Sequence, residues 1–139
     1  MEPPCCKIIL VEDNPHDVAL AKLALTETGI PYEITVLEDG EQAIDFVAQQ
    51  HVPPDLLLLD LNLPRRDGFE VLQAVRSAPE WLSTPVVVLS GSDSKTDMTR
   101  AYRSMANSYA VKSIDFEKAV EDLRSIVLTW WCSPGTGRF

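Results

Sequence analysis

The 139-residue chain holds only 2 histidines and 3 cysteines, Cys5, Cys6 and Cys132. These are too few and too oddly spaced for a disulfide framework or a Cys/His metal centre, so any metal here is a hard cation held by oxygen. Bases are scarce as well: 12 Lys and Arg against 21 Asp and Glu leave a net charge of −9, which argues against nucleic acid as a partner. No apolar run approaches the ~18 residues of a membrane span, and Met1-Glu2-Pro3-Pro4 resembles no signal peptide. The expectation is a soluble, cytoplasmic protein with no membrane partner. Glycines number 6, and no glycine-rich phosphate loop is present. What is abundant, 45% hydrophobic and 24% charged residues, suits a single globular domain that buries roughly two-thirds of its unfolded surface.

Short apolar runs alternate with helical periodicity throughout. Residues 7–11 form a β-branched run that stops at Glu12-Asp13-Asn14, and Asn14-Pro15 is a cap with proline at the first helical position of a helix to Gly29. A strand over 32–37 and a helix over 40–50 follow, the latter with Ala43, Phe46 and Val47 on one face. After Pro53-Pro54, residues 55–60 read as a strand covered on both faces, then a helix over 68–77 turns Phe69, Leu72 and Val75 inward. Residues 85–90 are another buried strand, and Ser94-Lys95-Thr96-Asp97 approximates a capping box for a helix with Met98, Ala101, Tyr102 and Met105 at helical spacing. A short strand over 108–111 precedes a last helix from Asp115 to about Trp131, carrying Phe116, Ala119, Val120, Leu123, Ile126, Val127 and Trp130. Five strand–helix units with short connections predict an α/β fold, a parallel sheet between two helical layers. The predicted domain spans 7–132, with proline- and glycine-rich tails at 1–6 and 133–139.

In such a sheet, ligands bind beyond the C-terminal ends of the strands. There this chain places Glu12 and Asp13 after the first strand, Asp60 at the end of the third, Ser90 at the end of the fourth, and Lys112 after the fifth. In the flavodoxin-like (βα)5 order 2-1-3-4-5 the first and third strands are neighbours, about 4.8 Å apart, so their carboxylates crowd together. Crowded carboxylates repel, and a bound Mg²⁺ relieves that repulsion. Carboxylates, a divalent cation, a lysine and a hydroxyl together make a site for a tetrahedral oxyanion, which is most of what phosphoryl transfer needs. With Asp60 as nucleophile the product is an aspartyl phosphate.

These residues define response-regulator receiver domains of two-component signalling, which the chain resembles over about residues 6–127. Ile9-Leu10-Val11-Glu12-Asp13-Asn14 resembles the family's first strand and acidic pair. Leu57-Leu58-Leu59-Asp60-Leu61-Asn62-Leu63-Pro64 with Asp67-Gly68 resembles its phosphoacceptor strand and loop. Val86-Val87-Val88-Leu89-Ser90-Gly91 resembles the switch strand, and Tyr109 with Lys112 the final pair. The resemblance implies a stand-alone response regulator whose Asp60 accepts phosphate from a histidine kinase or phosphotransfer protein. It implies Mg²⁺ held by Asp13, Asp60 and the Asn62 carbonyl, with Glu12 acting through water. Ser90 and Lys112 would contact the phosphoryl oxygens, Ser90 and Tyr109 would switch, and Asn62 and Ser92 would tune dephosphorylation. No reaction beyond the chain's own phosphorylation and dephosphorylation is implied. Ala101-Tyr102, Met105-Ala106-Asn107-Ser108-Tyr109 and Ser125-Ile126 … Trp130 further resemble the small regulators paired with cyanobacterial and other bacterial phytochromes. Receivers usually follow the lysine with proline in a cis peptide; here Ser113 follows, which puts the placement of Lys112 in question.

Two other readings compete. A phosphorylation-independent interaction module would keep the fold and ignore the pocket. A small aspartate-nucleophile phosphatase would need a second aspartate where Asn62 stands. An FMN site is disfavoured by the acidic loop after the first strand. Trp130 and Trp131 lie beyond the expected edge of the sheet and predict a homodimer through the last helix. Arg65-Arg66 is either a solvated turn or a kinase-docking element, and His16 is an exposed first-turn residue.

Overall fold

The computed structural model describes residues 5–49 and 52–130. Its elements are β1 (Cys6–Val11), α1 (Pro15–Glu27), β2 (Tyr32–Leu37), α2 (Gly40–Ala48), β3 (Leu56–Asp60), α3 (Gly68–Ser77), β4 (Val86–Ser90), α4 (Lys95–Arg103), β5 (Ser108–Val111) and α5 (Phe116–Trp130). All five strands are parallel and stand in the order β2-β1-β3-β4-β5, so the expected topology holds.

Period-two alternation along the central strands divides the core in two. Ile9, Val11, Leu57, Leu59, Val86 and Val88 face α2 and α3 with Val47, Val71, Leu72 and Val75. Ile8, Leu10, Leu56, Leu58, Val87 and Leu89 face the other layer, where Ala21 and Leu25 of α1 meet Val127 of α5. Leu20, Ala24, Ala119, Val120 and Leu123 clamp α1 directly to α5. Buried on both faces, β3 and β4 are continuous apolar runs for the reason such strands must be.

Several details depart from expectation. β1 begins one residue early: Cys6 is buried, pairs with Tyr32 and donates its N–H to Pro31 O, so it belongs to the sheet and not to a tail. α1 stops at Glu27, before Gly29, which turns the chain at φ 75°. A 3-10 turn at Pro79–Trp81 drives Trp81 into the core, edge-on to Phe46 with centroids 6.4 Å apart. α4 ends at Arg103, and Met105, with φ 71°, points outward, as do Tyr102 and Phe116. Trp130 is half-buried against the Ile8–Leu10 side of the core and not beyond the edge of the sheet as expected; Trp131 and Cys132 lie outside the described residues. Arg65 pairs with Asp39 and Glu41 of the α2 start, and Arg66 with Glu70.

Arg76 fastens the outward turn after α4. Its Nε donates to Met105 O (2.9 Å), Nη1 to Trp81 O (3.0 Å) and Nη2 to Asn107 Oδ1 (2.8 Å), while Asn107 Oδ1 also accepts Val86 N–H. One guanidinium thus ties α3, the 3-10 turn and the entry to β5. Arg76→Ala removes the side-chain donor from Met105 O and Trp81 O and leaves Asn107 Oδ1 with Val86 N–H alone, and is expected to cost about 1–3 kcal/mol, measured by urea unfolding.

Candidate functional site

The register sets the site. Val11 lies opposite Leu59, so the next residues, Glu12 and Asp60, reach the C-terminal edge of adjacent strands. Ser90 lies opposite Val111, which brings Lys112 to the same edge. Glu12, Asp60 and Ser90 are buried there, while Asp13 is exposed. Carboxylate oxygens of Glu12, Asp13 and Asp60 lie within 4.8 Å of one another.

Backbone amides hold these side chains in place. Asp60 Oδ1 accepts Asn62 N–H (3.1 Å), Glu12 Oε2 accepts Asn14 N–H (3.2 Å), and Ser90 Oγ accepts Ser92 N–H (3.1 Å). The Lys112 N–H donates to Ser90 O (2.7 Å), carrying β5's end against β4. No peptide among the described residues is cis, so Lys112–Ser113 is trans, and the amine still reaches the pocket. Lys112 Nζ lies 2.8 Å from Glu12 Oε1, 3.0 Å from Asp17 Oδ2 and 3.3 Å from Asp60 Oδ2. Tyr109, half-buried against the α2–α3 side of the core, donates its hydroxyl to Ser92 O (2.9 Å).

Electrostatically the pocket is short of positive charge. Burial pushes the Glu12 carboxyl from its ordinary 4.5 up to about 7, and Asp60 adds to the rise, against the pull of Lys112. Burial draws the Lys112 ammonium down, but the hydrogen bonds to Glu12 and Asp17 outweigh it and set the group above the ordinary lysine range. Three acids therefore share one ammonium while a fourth, Asp13, stands beside them without one, an arrangement that fits a hard divalent cation with oxygen ligands. Glu12, Asp13, Asp60, Ser90 and Lys112 all arrive at one rim as the sequence suggested. Asp17 was not anticipated; an acid in the first turn of the helix leaving the site strand was the available signal.

The response regulator receiver domain family matches residues 8–124. The chain belongs to that family. Among curated relatives, the probable methanogenesis regulatory protein FilR2 of Methanothrix harundinacea is 38% identical over 135 residues, covering 92% of this chain and 87% of FilR2. Response regulator Rcp1 of Synechocystis is 37% identical over 128 residues, covering 88% and 87%. The crystal structure of Mn²⁺-bound Rcp1 matches this fold with a TM-score of 0.85 over 93% of this chain and 99% of that one. The phosphorylated cyanobacterial phytochrome response regulator RcpA matches with a TM-score of 0.87 at 36% identity, covering 94% and 99%. This receiver is therefore a response regulator homologous to Rcp1 and RcpA, and its acidic cluster is consistent with a phosphorylation and divalent-metal site. Receivers of this kind work with the kinases or phosphotransfer proteins of two-component systems.

Proposed function

We propose that Asp60 is the phosphoacceptor, that Mg²⁺ is the resident cation, and that a histidine kinase of the phytochrome class is the donor. The observation that carries this reading is the environment of Asp60: one oxygen fixed by Asn62 N–H, the other 3.3 Å from an ammonium, and two more carboxylates beside it. Glu12, Asp13 and Asp60, with the Asn62 carbonyl, would hold the cation, which neutralises charge on the phosphoryl oxygens. An Asp60 carboxylate oxygen supplies an electron pair that forms the new bond to phosphorus, the donor's bond to phosphorus breaks, and the donor group leaves with the electron pair of that broken bond. Lys112 and Ser90 are then placed to meet the phosphoryl oxygens. Because Ser90 Oγ and the Tyr109 hydroxyl both bond to Ser92, drawing Ser90 towards phosphate would loosen Tyr109 and reshape the α4–β5–α5 face. The likeness to RcpA supports the phytochrome pairing. Self-association through α5 belongs to the same reading; it is supported by exposed Leu128, with Trp130 at the helix's half-buried end.

Incubation with acetyl phosphate and Mg²⁺, read by intact mass, tests this. The expected result is a gain of one phosphoryl group, absent from Asp60→Asn, with oligomer size rising in the phosphorylated sample. No gain in the wild-type chain would leave the interaction-only module standing, and turnover of a generic phosphate ester would favour a phosphatase.

A further inference from the structure

An ammonium has three N–H bonds; here Lys112 Nζ donates to Glu12 and Asp17 and makes a longer ion pair, 3.3 Å, with Asp60: its partners are Glu12, Asp17 and Asp60. Two of those acids belong to the cluster that fits a divalent cation, but Asp17 does not. A doubly charged ion at Glu12, Asp13 and Asp60 repels the ammonium and claims the electron pairs it was using. What then keeps Lys112 at the acceptor is not the backbone alone. Its N–H is fixed to Ser90 O, but the four-carbon stem beyond is flexible, and the side chain is already 27% exposed.

Asp17 is built as a fixed point. It lies in the first turn of α1, where Asn14 Oδ1 accepts His16 N–H at 2.8 Å and Asn14 O accepts Val18 N–H at 3.0 Å. Pro15 sets the first helical residue, and α1 is clamped to α5 by Leu20, Ala24, Ala119, Val120 and Leu123. Lys112 and Asp17 also line one crevice between these helices, with Leu20 and Leu123.

We propose that Asp17 is a positioning residue: it keeps one hydrogen bond to Lys112 Nζ when the cation takes Glu12 and Asp60, leaving the other two N–H bonds free for phosphoryl oxygens. The proposal rests on Asp60 as phosphoacceptor and names the group that aims its lysine. An acid in a first helical turn also favours the helix dipole, worth about 0.3–1 kcal/mol. That role alone would make Asp17 a matter of stability and not of rate.

Two measurements on the full chain separate these roles. In the first, the Lys112 Nζ–H resonance is followed by ¹⁵N NMR with and without saturating Mg²⁺. The held ammonium should persist in Mg²⁺ in the wild type and be lost to exchange in Asp17→Asn. In the second, phosphorylation by acetyl phosphate is timed in a double-mutant cycle. Asp17→Asn should slow it about tenfold when Lys112 is present and less than about twofold in a Lys112→Met background. Equal slowing in both backgrounds, or an Nζ resonance in Mg²⁺ that Asp17→Asn leaves unchanged, overturns the proposal. Should the wild type take no phosphoryl group at all, the Asp60 reading fails, and the Nζ comparison by itself upholds or overturns the Asp17 contact.

Discussion

Gly68→Ala is expected to lower stability by about 2–4 kcal/mol and to slow phosphorylation of the molecules that remain folded. A Cβ at Gly68 would sit 2.5 Å from Asp60 O, 2.6 Å from Leu61 Cα and 3.0 Å from Leu61 Cδ2. The first two are backbone atoms of the acceptor strand's end and cannot swing aside. Gly68 N–H also donates to Leu61 O at 2.9 Å, so the α3 start and the strand end are held at the spacing a methyl group would need. Relief requires moving the segment that carries Asp60 Oδ1 onto Asn62 N–H. Gly40 also closes on this loop: a Cβ there would fall 1.8 Å from Arg66 O. Position 91 is the control: a Cβ there meets nothing within 4 Å, and Gly91→Ala should be neutral or gain up to about 1 kcal/mol. Urea unfolding gives the stabilities, and acetyl phosphate kinetics on the folded fraction give the rates. A Gly68→Ala protein as stable as Gly91→Ala would show that the acceptor loop has slack the close contacts deny.

Much of this was readable in the chain because the deciding signals are local. Apolar runs of β length ended by acids, serine or lysine specify both the strands and the edge at which their chemistry gathers, and parallel crossovers leave few ways to order them. Burial was less readable where it depends on how an element ends. Met105 keeps helical spacing with Ala101, yet α4 stops at Arg103 and Met105, itself in the left-handed region, points outward. Trp81 sits in a stretch with no periodicity and is buried by a 3-10 turn that Pro79 begins. Cys6 reads as tail in the sequence because nothing in Pro-Cys-Cys shows that Pro31 offers it a carbonyl. Serine after Lys112 put the lysine in question, since no ring fixes the chain there. The structure answers with contacts distant in sequence: Ser90 O holds its amide, and Asp17, 95 residues away, holds its amine.

The same lysine carries the second large effect. Lys112→Met removes the ammonium that Glu12, Asp17 and Asp60 share and leaves Glu12, 2% exposed, with no cation beside it. Stranding a buried charge costs about 3 kcal/mol, so without Mg²⁺ the variant should be less stable than wild type by about that much at pH 8. The deficit depends on pH in a direction Glu12 fixes. Burial raises its carboxyl in the folded chain from 4.5 to about 7, so the folded state holds that proton more tightly than the unfolded one. The stability this contributes is whole below pH 4.5 and is lost as pH climbs through 7, and without Lys112's opposing pull the loss extends to higher pH. The gap between variant and wild type should therefore shrink to about 1 kcal/mol near pH 5, where Glu12 carries its proton in both. Mg²⁺ should act oppositely to the mutation: with no ammonium competing for the carboxylates, the ion raises the melting temperature of Lys112→Met more than that of wild type, recovering about 2–3 kcal/mol at a hundredfold excess over its dissociation constant. Phosphorylation does not recover with it. The metal restores charge balance but not the N–H donors, and the rate should stay about a hundredfold down. Thermal melts at pH 5 and pH 8, with and without Mg²⁺, read the first effect, and acetyl phosphate kinetics in Mg²⁺ the second. Equal Mg²⁺ stabilisation of both proteins would mean that the ammonium and the ion do not compete for the same oxygens.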